Sequence, residues 1–188
     1  MSFIPPPTSL SVELQLDFHA ANNATHPFIV YPMENGDLRT YTFADVVPKI
    51  HQVADFVQHQ LSSHSPSTIA FIATSDSLTS FMIIMGILRA GMSAFPVSPR
   101  FSPEVLSKLM MEVRPTYVMS EDKFMLMEVL NTIPDGERPT VLDLPSRAMI
   151  FSSNQAIPPL PEHGRTLSSP QYVIHSSDAH SLLGTLAL

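Results

Sequence analysis

A length of 188 residues supports one domain with a real core, and 44% apolar content favours folding over disorder. The net charge of −7 comes without a basic cluster, which leaves nucleic-acid or anionic-membrane binding unsupported. The chain has no cysteine, so disulfides, thiolate metal sites and cysteine nucleophiles are excluded together.

Charged residues make up only 14% of the chain, and mean hydropathy is +0.14. So little surface charge predicts that a partner, another domain or a subunit, covers part of the apolar surface. The first residues, Met1 to Leu10, have neither a basic region nor a continuous apolar run, and the cytoplasm is the expected compartment. The longest apolar run, Phe81 to Leu88, stops at Arg89, well short of the roughly 20 residues a membrane span needs. It reads as a helix buried on most sides. Asn23-Ala24-Thr25 spells a glycosylation sequon but is expected to be idle.

In chain order, residues 1–10 read as a flexible, Pro-rich lead. Leu14 to Ala21 is a short helix ended by Asn22-Asn23. Phe28 to Tyr31 and Leu38 to Thr42 read as a hairpin around Asn35-Gly36, a dipeptide suited to a type I′ turn with both residues at positive φ. Thr42 caps a helix beginning at Phe43, with Asp45 in its first turn. Val46, Ile50, Val53, Val57 and Leu61 form one apolar stripe, which assigns His51, Asp55, Gln58 and His59 to the outer face. Pro48 conflicts with this helix and predicts an irregular first turn.

From Thr68 to Ser120, short apolar runs alternate with helix-length segments, the pattern of βαβαβ units and a mostly parallel sheet flanked by helices. The fold class is therefore α/β. Asp76 or Ser77 caps the first crossover helix, and Gly91 supplies the left-handed residue at its end. Ser102 caps the second, with Pro103 at its first position and Val105, Leu106, Leu109, Met110 and Val113 as apolar positions. Thr116 to Met119 is the third strand, and Ser120 caps a further helix through Phe124, Leu126, Met127 and Leu130. Thr140 to Leu144 adds a fourth strand. Residues 11–145 form the domain, 146–171 a Pro/Ser-rich connection, and 172–188 a last strand with a divergent tail.

Three stretches resemble the N-terminal part of the adenylate-forming enzymes: acyl-CoA synthetases, adenylation domains of nonribosomal peptide synthetases and their fungal reductase-linked relatives. Tyr41-Thr42-Phe43-Ala44-Asp45-Val46 is similar to the family's L-T-Y-x-E-L. Ile87-Leu88-Arg89-Ala90-Gly91-Met92-Ser93-Ala94-Phe95-Pro96-Val97-Ser98-Pro99 is close to its L-K-A-G-x-A-Y-x-P-L-D-P, with Ser102-Pro103-Glu104 and Tyr117-Val118-Met119-Ser120 fitting the next helix and strand. The Ala94 to Arg100 spelling looks most like the fungal reductases. Gln171-Tyr172-Val173-Ile174-His175-Ser176-Ser177 is similar to the strand that enters the family's phosphate loop, S-S-G-S-T-G-x-P-K, and this implies that Ser176 and Ser177 are remnants of a nucleotide-binding loop. The match breaks at Asp178, an acid where the first glycine belongs, and no threonine or lysine of the loop follows.

Complete members, the resemblance implies, use ATP and Mg²⁺ to turn a carboxylic acid into an acyl-adenylate and pass the acyl group to a thiol. For this chain it implies a truncated, inactive synthetase/ligase fragment without a cofactor of its own. Its last eleven residues then come from an altered reading frame or a retained intron. Two other readings stand beside it: a non-catalytic α/β module that docks onto a protein, and an independent Rossmann-type nucleotide binder.

Other candidates carry less. Ser98 and Arg100 follow a parallel strand, where open α/β sheets bind ligands, but no phosphate fingerprint accompanies them. His59 with His64, and His175 with His180, lack metal-site spacing. No G-x-S-x-G elbow supports a hydrolase. The methionines, among them Met82, Met85, Met110 and Met111, read as core filler.

Overall fold

A capping box and a glycine turn set up the first third of the chain. The computed structural model describes residues 2–8, 10–33, 35–61, 66–72 and 76–152. Helix α1 spans Val12–Asn22, and strands β1 (Pro27–Pro32) and β2 (Leu38–Thr42) pair antiparallel. Ile4 is held by Asn23, which accepts its N–H at 2.8 Å and donates to its carbonyl at 2.6 Å. Asn23 is only 2% exposed, so the sequon's acceptor amide is spent inside the fold.

The hairpin turn is longer than the two-residue type I′ turn that Asn35-Gly36 suggests. Five residues, Met33 to Asp37, connect the strands; Gly36 donates to the Met33 carbonyl and takes the left-handed conformation with φ 86°. The Asn35 side chain accepts the Asp37 N–H, an interaction that favours this wider turn.

Helix α2 (Phe43–Gln60) begins with a capping box: the Thr42 hydroxyl accepts the Asp45 N–H while the Asp45 carboxylate accepts the Thr42 N–H. The helix runs without a break through Pro48, so the expected irregular turn is absent. Its apolar stripe is broader than the sequence predicts, since Val47 and Ala54 are buried beside Val46, Ile50, Val53 and Val57.

The parallel sheet follows: β3 (Thr68–Ile72), α3 (Ser77–Arg89), β4 (Ser93–Val97), α4 (Pro103–Val113), β5 (Tyr117–Ser120), α5 (Lys123–Asn131) and β6 (Thr140–Val141), with a short helix α6 at Arg147–Ser152. Strand order is β4-β3-β5-β6, all pairs parallel. Both faces are covered, which is why the strands are apolar runs rather than alternating ones. Ile69, Phe71, Ala94, Tyr117 and Met119 pack with α2 and α3; Ala70, Ile72, Phe95, Val97 and Val118 pack with α4 and α5. Phe71 and Phe95 are fully buried on opposite faces, each contributing roughly 1.5–3 kcal/mol.

Helix α3 is buried along most of its length, as its sequence predicts, and ends with Gly91 at φ 97°. The Met92 N–H reaches the Ile87 carbonyl and the Gly91 N–H the Leu88 carbonyl, the paired bonds of a Schellman cap. Met82, Met85 and Met110 are core residues.

Three local expectations are corrected. Asp122, not Ser120, caps α5 by accepting the Met125 N–H, because Ser120 is still the last residue of β5. Val105, Phe124 and Met127 are exposed, Phe124 at 90%, so the apolar faces of α4 and α5 are narrower than their composition suggests. His51, expected on the outer face of α2, is 4% exposed: its Nε2 meets the Asp17 carboxylate of α1 at 2.5 Å. Asp17 also forms an ion pair with Arg89 at the end of α3, so one buried carboxylate ties three helices together. Asp55, Gln58 and His59 do lie outside.

Candidate functional site

The ends of β3, β4 and β5 lie level, because Ile72 registers with both Val97 and Ser120. From β3 the chain crosses to β4 on one side and then back past β3 to β5 on the other. The crossovers therefore diverge between β3 and β5, and the crevice outside their carboxyl ends is where open α/β sheets hold ligands. A cleft of about 510 Å³ sits there, with Asp76 and Thr79 on the β3 side, Ser120, Glu121 and Lys123 on the β5 side, and Asp143 to Arg147 across it. A wider hollow of about 940 Å³ lies beside it under the hairpin and shares Asp76 and Arg147.

Asp76 organises this edge. As the N-cap of α3 it accepts the N–H groups of Leu78 and Thr79. It also accepts the Thr79 hydroxyl at 2.6 Å and the Tyr31 hydroxyl at 2.9 Å, and pairs with the Arg147 guanidinium at 2.8 Å. Burial pushes its carboxyl up, but the Thr79 and Tyr31 hydroxyls, the Thr79 N–H and Arg147 outweigh that and hold it below the usual value. By accepting the hydrogen bond that the Tyr31 hydroxyl donates, the same carboxylate pushes the Tyr31 pKa up.

The lowered carboxyl makes a signed prediction. A depressed acid adds stability above its unfolded pKa, about 3.9, and loses it as pH falls through the folded value. Asp76→Asn is therefore expected to be less stable than the parent at pH 7, with the gap narrowing below about pH 4 in urea titrations. A gap that widens in acid contradicts this assignment.

The sequence marks Asp76 only as a cap. Tyr31 lies 45 residues away, and nothing local announces it or Arg147 as a partner. Ser98 and Arg100 stand apart from the cleft: the Ser98 hydroxyl accepts the Arg100 N–H in a local turn. Ser176, Ser177, His64, His175 and His180, together with the strand expected at 172–174, lie outside the described residues. His59 points its Nδ1 at the Asp55 carbonyl. Among the described residues no group of three His, Asp or Glu side chains is placed to hold a metal ion. No helix among them is long and apolar enough to cross a membrane.

An open parallel sheet with helices on both faces and a crevice at its switch point defines the class as a doubly wound α/β domain. The AMP-binding enzyme family model matches residues 16–178, and the chain belongs to that family. It is 28% identical over 127 residues to the adenylate-forming reductase Nps10 of Heterobasidion annosum, covering 63% of this chain and 12% of that one. In structure it is similar to the N-terminal subdomain of Klebsiella oxytoca NpsA in complex with 3-hydroxybenzoyl-AMSN, with TM-score 0.65, 15% identity, and coverage of 89% and 38%. It is equally similar to the inhibitor-bound N-terminal domain of FACL13 from Mycobacterium tuberculosis, with TM-score 0.65, 17% identity, and coverage of 89% and 41%. These likenesses bear out the α/β fold and the resemblance to adenylate-forming enzymes, fungal reductases among them. The chain spans about an eighth of the length of that fungal relative.

Proposed function

We propose that this chain supplies the first sheet scaffold of an enzyme that activates a carboxylic acid with ATP, and that the 188 residues alone do not form an acyl-adenylate. What carries the second half is the charge state of the crevice. Among its described lining residues the two cations are each engaged by a carboxylate, Arg147 by Asp76 and Lys123 by Asp143, while Glu121 adds a further negative charge. Such a lining gives a polyphosphate no net attraction. The acid at 178, where the resembling loop has its first glycine, adds charge of the same wrong sign.

In this reading the residues hold and orient rather than react. Arg89, the basic residue of the best family-like stretch, serves as the buried clamp on Asp17. Asp76 fixes the start of α3 against the hairpin and α6. Calorimetric titration of the purified polypeptide with ATP is expected to give no binding heat. A saturable ATP isotherm overturns the charge argument and favours an independent nucleotide binder.

A second reading, an interaction module, draws on Phe124 at 90% and Met127 at 56% exposure, one helical turn apart on α5. It requires a co-purifying partner that the double substitution Phe124→Ser, Met127→Ser releases.

A further inference from the structure

Helix α5 buries Leu126, Val129 and Leu130 on its inner side and turns the apolar pair Phe124 and Met127 to solvent. Two charged side chains, Lys123 and Glu128, are exposed beside that pair. With about 100° of rotation per residue, the four follow one another around the helix in the order Lys123, Met127, Phe124, Glu128, at intervals of about 40°, 60° and 40°. Along the helix they share one centre, midway between Met125 and Leu126. Phe124 and Met127 lie about 2 Å to either side of it, and Lys123 and Glu128 about 4 Å. A half-turn about an axis through that centre, perpendicular to the face, therefore exchanges Phe124 with Met127 and Lys123 with Glu128. The apolar pair maps onto itself, and each charge lands on its opposite.

We propose that this face docks onto the same face of a second copy of the chain in an antiparallel two-fold pair, which names the partner for the exposed residues on which the interaction-module reading rests. Phe124 packs against Met127 of the partner subunit, an aromatic–thioether contact, and Lys123 meets Glu128 of the partner subunit; symmetry makes each contact twice. The self-complementary charge is what favours a second copy, since a rim of one sign would repel its own image. Lys123 also meets Asp143 at 3.4 Å, but both side chains are well exposed and the ammonium has two further donors. A nine-residue helix offers less area than the roughly 1,200 Å² of a standard interface. The pair is therefore weak, with a dissociation constant on the order of 100 µM.

Sedimentation equilibrium of the 188-residue polypeptide at low salt, from about 10 µM to about 1 mM, is expected to show the average mass climbing from 20.7 kDa toward twice that value. Phe124→Ser changes a side chain that touches little of its own fold and should weaken association at least about tenfold. Lys123→Glu and Glu128→Lys each set like charges face to face at two places, and each should weaken it by about tenfold. Mixed in equal amounts, these two variants form a hetero-pair in which every facing charge is opposite, so association should return to the parent level. A parent that stays monomeric overturns the proposal, as does association that ignores Phe124→Ser. Failure to recover on mixing also overturns it, because the copies then meet in another register. A monomeric parent that co-purifies with a different protein, released by the double substitution Phe124→Ser, Met127→Ser, overturns the second copy and leaves the interaction-module reading standing. A monomer with no such partner ends both.

Discussion

Replacing Gly86 by alanine is expected to destabilise the protein by about 3 kcal/mol, although alanine is the better helix former by roughly 1 kcal/mol. Gly86 lies where α3 crosses α2, and a Cβ built there stands 2.3 Å from Val53 Cγ1, 2.6 Å from Val53 Cβ and 3.2 Å from the Ala54 backbone nitrogen. The first contact could be relieved by turning a side chain. The other two could not, because they move with the α2 backbone. The helices must therefore part, and the pairs Val53, Ile50, Met82 and Ile83, all buried at the same seam, lose their close packing. In a thermal melt this corresponds to a fall of roughly 6–12 °C for a chain of this size. Val53→Ala in the same chain should restore only part of the loss, since it removes Cγ1 but leaves Cβ in place. A Gly86→Ala variant as stable as the parent would falsify the close crossing.

The second large effect concerns charge. Arg89→Met is expected to lower stability by roughly 3–5 kcal/mol, the range for stranding one member of a buried ion pair. Asp17 is 5% exposed and answers to Arg89 and His51; with Arg89 gone, its carboxylate keeps one partner in a dry seam between α1, α2 and α3. Arg89→Lys should recover little, because a single ammonium cannot reproduce the planar guanidinium in a packed site. Combining Arg89→Met with Asp17→Asn removes the stranded charge, and the double variant should be more stable than the sum of the two single losses predicts. Urea unfolding of the four proteins measures that coupling. Additive losses within about 0.5 kcal/mol mean that the cluster does not act as a unit.

How much of this was legible beforehand depended on how local each signal was. Caps and breakers act within a few residues, and Thr42 with Asp45, Gly91 and Pro103 stand where the sequence places them, while the strand expected at Thr140 to Leu144 covers only Thr140–Val141. Failures came where a distant residue changes what a position means. His51 sits at the edge of an apolar stripe, and only the arrival of Asp17 from 34 residues earlier makes its burial favourable. Gly86 reads as an ordinary blemish in a helix until Val53 is brought against it. Asp76 declares itself as a cap, but Tyr31 and Arg147, which make it the centre of the crevice, are joined to it only by the fold. Phe124 shows the opposite case: an apolar residue at a helical position, it is turned outward by α5 while Leu126, Val129 and Leu130 fill the core beside Val118.

The family resemblance was legible for a different reason. Ile87 to Pro99 combines the end of α3, its Schellman cap and all of β4, so its spelling is constrained at nearly every position by burial or backbone geometry. That explains why the stretch identifies ancestry well. It also explains why it says little about chemistry, since Arg89 and its neighbours are occupied in holding helices together.

Pyrophosphate exchange tests the central claim most directly. The purified 188-residue polypeptide, incubated with ATP, Mg²⁺, labelled pyrophosphate and a panel of aliphatic, aromatic and amino acids, is predicted to return no label to ATP above the acid-free blank. Acid-dependent return of label, abolished by omitting either the acid or Mg²⁺, would show that these residues form an acyl-adenylate by themselves and would contradict the account of the chain as scaffold.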